Sequence, residues 1–387
     1  MEARRLSFLT PSIFTEMNKI KAEVEAKGID VINLGIGSPD RPPAPHLIDY
    51  MIKAVGNPNN YGYPTSEGTK ELRCTVAKWY KKRFDVDLDA DKEVLILMGS
   101  QDGLAHLAQA LINPGDIALV PDPGYPIYSA GILLAEGELY PLPLLKENSF
   151  LPDIDNIPEH IAQKAKLIYL NYPNNPVAAV ADVDFYSKVV KWARGHDIVV
   201  CHDAAYSELA FDGYSPLSFL QTPGAKEVGV EFHSFSKTYN LAGCRIGMLV
   251  GKKEVIQLLA KLKSNIDYGV FLAIQEVACR ALTEDQSYVK QMADLYQERR
   301  NILIEGLSKI GWSIPSPKAS MFLWAPLPNG WLSSKEFAFT LLRETGVLVI
   351  PGVSFGPNGE GYVRIALTQE GSVLEEVPNR LKAFLNR

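Results

Sequence analysis

Ser234-Phe235-Ser236-Lys237-Thr238-Tyr239-Asn240-Leu241-Ala242-Gly243-Cys244-Arg245-Ile246-Gly247 is the stretch on which both the fold and the chemistry of this chain turn. An apolar run suited to a buried strand breaks here into hydroxyls, a lysine, glycine and a trailing arginine. An amine attacks an aldehyde usefully only when it is positioned and partly deprotonated. Hydroxyls beside a cation are what a phosphate requires. Together the two demands point to a phosphate-bearing aldehyde, with Lys237 as nucleophile and Ser234, Ser236 and Arg245 around the phosphate. A bare Ser-x-Ser-Lys is more often a solvated turn; the longer string is far less accidental.

Pyridoxal 5'-phosphate meets both demands, and the rest of a site for it should lie upstream on strand ends. Ile198-Val199-Val200-Cys201-His202-Asp203-Ala204-Ala205-Tyr206 reads as a short buried strand that ends in a carboxylate, with a phenol three residues on. Asp203 would keep the pyridine nitrogen protonated, and Tyr206 would donate to the ring oxygen; taken alone, the pair is equally a turn cap and a packed aromatic. Leu167-Ile168-Tyr169-Leu170 runs into Asn171-Tyr172-Pro173-Asn174-Asn175-Pro176, and Val94-Leu95-Ile96-Leu97-Met98 into Gly99-Ser100-Gln101 and a helical pattern. At such a helix start, free N–H groups and the helix dipole favour an anion, which makes Ser100 and Gln101 a second phosphate contact.

Taken in this order, the segments resemble the fold-type I pyridoxal-phosphate aminotransferases, the aspartate aminotransferase-like family. The resemblance implies a Schiff base on Lys237, which also serves as the acid and base, with Asp203 and Tyr206 tuning the ring. It also implies a ring-oxygen contact from Asn175 and an aromatic, Tyr125 of Pro121-Asp122-Pro123-Gly124-Tyr125-Pro126, stacked on the ring. Arg364, in the alternating strand Tyr362-Val363-Arg364-Ile365-Ala366-Leu367, is implied to fork onto the substrate α-carboxylate. Gly37, in Ile32-Asn33-Leu34-Gly35-Ile36-Gly37-Ser38-Pro39-Asp40, lies in a loop that closes over substrate and offers a backbone N–H. Tyr63, in Tyr61-Gly62-Tyr63-Pro64-Thr65-Ser66-Glu67-Gly68, is implied to reach the phosphate of a neighbouring subunit, which makes the protein a homodimer with shared sites.

Ser264-Asn265-Ile266-Asp267-Tyr268-Gly269-Val270-Phe271 and the stretch from Asn358 to Leu367 look most like the bacterial LL-diaminopimelate aminotransferase branch. That resemblance implies LL-diaminopimelate and 2-oxoglutarate as substrates. A broad alanine, aspartate or aromatic aminotransferase is the alternative; a carbon–sulfur β-lyase or a cofactor-sensing regulator fits less well. Two departures from the family pattern bear on specificity: Val177-Ala178 stands where Thr-Gly is usual, and Tyr268 where a serine is.

The resemblance also implies an α/β fold: a large domain whose mostly parallel sheet is covered by helices on both faces, and a smaller α+β domain formed from both termini. The expected division is 1–44, 45–285 and 286–387. Periodicity supports the middle part, where apolar strands alternate with amphipathic helices. One such helix starts at Asp182 and is expected to stop near Gly195; a long one runs from about residue 286 to Leu307. The chain has 387 residues, 47% of them hydrophobic, and a net charge of −6, without a basic stripe for nucleic acid or an anionic membrane. No signal-like or membrane-spanning run is present, so a cytoplasmic location is expected. Cys74, Cys201, Cys244 and Cys279 are scattered, which argues against a metal cage or a disulfide framework.

Overall fold

The computed structural model describes residues 3–9 and 13–385. Its strands, in chain order, are β1 (Ile32–Asn33), β2 (Val94–Leu97), β3 (Ile117–Asp122), β4 (Glu138–Pro143), β5 (Ala165–Asn171) and β6 (Val199–Asp203). They continue as β7 (Gly229–Ser234), β8 (Gly247–Gly251), β9 (Phe322–Pro326), β10 (Val347–Leu348), β11 (Ile350–Pro351) and β12 (Tyr362–Ala366). The large sheet has the order β2-β8-β7-β6-β5-β3-β4. β3 to β7 run parallel where they pair, and β8 runs antiparallel to both β2 and β7.

Both faces of this sheet are dry, so its central strands carry uninterrupted apolar runs. In β2, Val94 and Ile96 join one hydrophobic cluster while Leu95 and Leu97 join another; in β5, Ile168 and Leu170 part from Leu167 and Tyr169 in the same way. Helices Lys70–Phe84, Val183–His196 and Leu272–Thr283 cover the first face, and Ser100–Leu111, Ile127–Leu134 and Lys253–Lys263 cover the second. The helix at Val183 begins as expected, with the Asp182 carboxylate accepting from Phe185 N–H at 2.8 Å. It ends near Gly195, as expected. Its last residue is His196, and Asp197 ends it by turning left-handed at φ 53°.

The smaller unit draws on both ends of the chain. β1 pairs in parallel with β10, Ile32 opposite Val347, and β11-β12-β9 form an antiparallel sheet. Ile32 and Leu34 share a core with Tyr296, Leu303, Phe337, Ile365 and Leu374. The long helix Ser287–Lys309 contributes to this core. The parallel strands β3, β5, β6 and β7 end on Asp122, Asn171, Asp203 and Ser234 at one edge of the large sheet. A crevice outside the carboxyl ends of parallel strands is where an α/β sheet exposes unpaired backbone and helix N-termini.

Candidate active site

A cavity of about 530 Å³ occupies that crevice, between the strand ends and the loop Gly35–Ser38, with Phe322 and Arg364 of the smaller unit in its wall. Every site residue expected from the sequence lines it except Tyr63.

Lys237 sits on the single helical turn Phe235–Thr238 that directly follows β7, so the strand end fixes where its amine emerges. The Nζ donates to the carbonyl of Gly37 at 2.7 Å. Burial, with the charges of Arg364 and Arg245 adding to it, brings the Lys237 amine down to about 8, while Asp203 pulls the other way. The turn is tethered from behind. Thr238 Oγ1 lies 3.0 Å from Nε2 of His233, and Ser207 Oγ lies 3.2 Å from its Nδ1. Burial lowers His233 to about 4, so this imidazole is a neutral bridge.

Asp203 ends β6 almost wholly buried. Burial pushes its carboxyl above the ordinary range, against hydrogen bonds from Tyr128 and the Ala205 N–H and the nearby Lys237 amine. The Tyr128 hydroxyl donates to Oδ2 at 2.8 Å and the Ala205 N–H to Oδ1 at 3.3 Å. Asn171 Nδ2 donates to the Asp203 carbonyl at 2.7 Å and Asn171 Oδ1 accepts from Asn175 N–H at 2.7 Å, which ties two strand ends together. His202 points to the other face of the sheet, 2.8 Å from Glu231 and 3.0 Å from the Tyr186 hydroxyl.

Arg364, in the middle of β12, is buried with its planar group 4.3 Å from the Phe322 ring centre and 4.7 Å from that of Phe355. Nη1 donates to Asn175 Oδ1 at 2.9 Å and Nη2 to the Gly35 carbonyl at 2.8 Å, while the buried Nε has no hydrogen-bond partner. Burial lowers Arg364 to about 10, so it remains a cation at neutral pH.

At the far end of the cavity, Ser100 opens a twelve-residue helix whose N-cap, Gly99, offers no side-chain cap. Its first-turn N–H groups are available to an anion. Gly99 is left-handed at φ +84°, and a Cβ there would lie 2.5 Å from Nη2 of Arg245, so glycine lets the guanidinium approach the helix start. Ser234 and Ser236 line the same cavity. The side-chain Oε1 of Gln101 accepts from the Tyr125 hydroxyl at 2.9 Å, which fixes the amide beside the helix start.

Gly37 accepts from Lys237 with its carbonyl, and a Cβ on Gly37 would stand 2.7 Å from Phe322 Cζ. Tyr63 is 88% exposed, its ring 5.1 Å from that of Tyr268, which is 69% exposed. In the Val177-Ala178 departure, Ala178 is left-handed at φ 56°, the conformation a glycine takes most easily. Sequence reasoning missed Tyr128, Asn171 and Phe322. Tyr128 carried no signal of its own in the sequence: it is an aromatic in the first turn of the helix Ile127–Leu134, where a packing residue is equally expected. Among the described residues the four cysteines are free, no His/Cys/Asp/Glu cluster could hold a metal, and no helix is long and apolar enough to cross a membrane.

A buried amine of lowered basicity, a buried carboxylate, an uncapped helix N-terminus and a buried arginine thus meet in one cavity of an α/β fold. The sequence pattern of the Aminotransferase class I and II family matches residues 29–381, and the chain belongs to that family. It is an aminotransferase. It is 50% identical over 382 residues to the LL-diaminopimelate aminotransferase of Syntrophobacter fumaroxidans, covering 99% of this chain and 98% of that one. It is 49% identical to the enzyme of the same name from Moorella thermoacetica, over 100% and 99% of the two chains. Among solved structures, substrate-bound BacF from Bacillus subtilis superposes with a TM-score of 0.95 at 38% identity, over 99% and 98% of the chains. A Thermus thermophilus aspartate aminotransferase mutant superposes with a TM-score of 0.93 at 27% identity, over the full length of both.

Proposed function

We propose that this enzyme transfers the amino group of LL-diaminopimelate to 2-oxoglutarate, using pyridoxal 5'-phosphate. The observation that carries the reading is the meeting of Lys237, Asp203 and Arg364 in one cavity whose far end is an uncapped helix N-terminus. The residues fit the cofactor. Glycine at position 99 leaves room for Arg245 at the helix start, and Asp203 stands on the cavity floor with its carboxylate held from behind by Tyr128. Ser100, Ser234, Ser236, Arg245 and the Gln101 N–H would hold the phosphate, Asp203 the ring nitrogen, Tyr206 and Asn175 the ring oxygen, and Tyr125 one ring face. The bound cofactor would supply an aldehyde for the amine and a ring that accepts electron density when the α-proton leaves.

This chain's residues do the rest. Arg364 receives the α-carboxylate through its planar fork and so orients the α-carbon toward Lys237. Lys237 Nζ, neutral above about pH 8, would take the α-proton and later give it up again, acting first as base and then as acid. Phe322 and the Gly35–Ser38 loop close the carboxylate end against water. Tyr63 of a second copy would complete the phosphate site, so the working unit is a homodimer; two neighbouring tyrosines as open as Tyr63 and Tyr268 mark a surface fit for burial against a partner.

One observation favours the broader aminotransferase as a second reading. The charged residues lining the cavity are Asp203, Lys237, Arg245 and Arg364, all engaged by cofactor and α-carboxylate in this scheme, and Met17, Ile36, Leu348 and Ile350 make part of the wall apolar. The deciding experiment is single-turnover absorbance spectroscopy of the holoenzyme with LL-diaminopimelate, glutamate, alanine, aspartate and phenylalanine. Fast conversion by LL-diaminopimelate and glutamate alone supports the specific reading, and equal rates with alanine or phenylalanine replace it by the broad one. A purified protein that binds no cofactor removes both.

A further inference from the structure

Behind Asp203 lies a residue to which neither the sequence reading nor the family match gives a role. Tyr128 is on the helix Ile127–Leu134, is 1% exposed, and donates its hydroxyl to Asp203 Oδ2 at 2.8 Å. The ring is locked on two sides. It stacks on Tyr169 of β5 at 4.9 Å and 17°, and Tyr125 meets it edge-on at 5.9 Å and 83°. Tyr169 is held in turn by donating to the Leu104 carbonyl at 3.1 Å. The phenol therefore points at the carboxylate from a rigid aromatic stack, not from a freely turning side chain.

A carboxylate this deeply buried reverts to the neutral acid unless hydrogen bonds favour its charge. As a neutral acid, Asp203 could not stabilise a protonated ring nitrogen. Its other oxygen has only the longer bond from Ala205 N–H at 3.3 Å, which leaves Tyr128 as the short, well-aimed donor. With the phenol on Oδ2 and the Ala205 N–H on Oδ1, the carboxylate is held in one orientation.

We infer that Tyr128 is a positioning residue for the transamination: its hydroxyl keeps Asp203 ionised and turned so that one oxygen serves the cofactor ring. This rests on the cofactor reading above. Tyr128 touches neither substrate nor cofactor in this role; it acts through Asp203, and the Tyr125 ring packed against it shares the same frame.

The test is a double-mutant cycle on the holoenzyme with pyridoxal 5'-phosphate as the probe. Tyr128→Phe keeps the stacked ring and removes only the O–H. It is expected to fold with an unchanged circular dichroism spectrum, to bind the cofactor roughly tenfold more weakly by equilibrium dialysis, and to shift the absorbance maximum of the bound cofactor. In the amino-acid half-reaction kcat should fall while KM holds, because Arg364 is untouched. In an Asp203→Asn background the same substitution should have no further effect on cofactor affinity. An affinity and spectrum like wild type for Tyr128→Phe would overturn the inference. So would an equal loss in the Asp203→Asn background, because the hydroxyl would then act independently of the carboxylate. Tyr128→Leu, which also removes the stack, separates the two effects: if Phe is harmless and Leu harmful, Tyr128 is packing alone. Wild-type protein that fails to bind the cofactor would instead remove the functional reading on which the inference rests.

Discussion

Lys237 needs to be neutral to act as a base, and an amine in water at pH 7 is not. Burial and two guanidinium groups supply the difference, bringing it to about 8. The sign follows. A cation whose basicity is lowered loses its proton at lower pH, so the cofactor-free enzyme should capture pyridoxal 5'-phosphate faster as pH rises toward 8 and level off above it. Stopped-flow absorbance would follow this, and a rate still climbing at pH 10 would show an ordinary lysine. Arg364→Met removes one of the nearby positive charges and should move the inflection upward. Arg364→Lys keeps the charge but loses the planar fork, so KM for the amino acid should rise on the order of 10–100-fold with kcat less affected; an unchanged KM would take Arg364 out of the substrate site. These residues were legible in the sequence because Lys237 follows an apolar run and Arg364 interrupts one, each where a packing residue was due. Tyr128 and Phe322 were not, because a buried aromatic is what a core also contains, and only their placement against Asp203 and Arg364 distinguishes them.

The loop after β1 shows what an element adds to a residue. Its Gly35 and Gly37 carbonyls receive Arg364 and Lys237, yet the loop itself is anchored from the long helix Ser287–Lys309. Arg299, fully buried, grips both oxygens of Asp40 at 2.8 and 2.7 Å and also donates to the Leu367 carbonyl at 3.1 Å. Arg299→Met strands the partly exposed Asp40 carboxylate and should lower stability by about 2–3 kcal/mol, read as a shifted denaturant midpoint at constant slope. Because the same loop orients Arg364, KM for the amino acid should rise as well; a stability loss without it would show that the loop holds its place by other contacts. The large-sheet strands announced themselves in the sequence because both of their faces are buried. β1, β10 and β11 did not, because a two-residue strand has no period to read. The helix end expected near Gly195 falls one residue on, at His196, where Asp197 rather than the glycine takes the left-handed turn.

At the scale of the whole molecule, one expected site residue remains apart from the cavity of its own chain. Tyr63 stands on the surface against Tyr268, and the size of that second ring is what distinguishes this chain from the serine of the family pattern. If Tyr63 serves a second copy, the enzyme is a dimer by chemical necessity, and two defective chains should repair each other. Tyr63→Ala spoils the phosphate contact given to the partner, whereas Lys237→Ala spoils the chain's own centre. Each homodimer should be nearly inactive. In the mixed dimer, the Lys237 of the first variant meets the Tyr63 of the second, and one of the two sites is whole. Random exchange of equal amounts makes half of the dimers mixed, so about a quarter of all sites should recover. Unfolding the two variants together, refolding them and measuring turnover per site would read this directly. Recovery near one quarter would establish shared sites. No recovery from well-folded mixed dimers, with Tyr63→Ala active by itself, would place Tyr63 outside the catalytic machinery and leave the Tyr63–Tyr268 pair a feature of the surface alone.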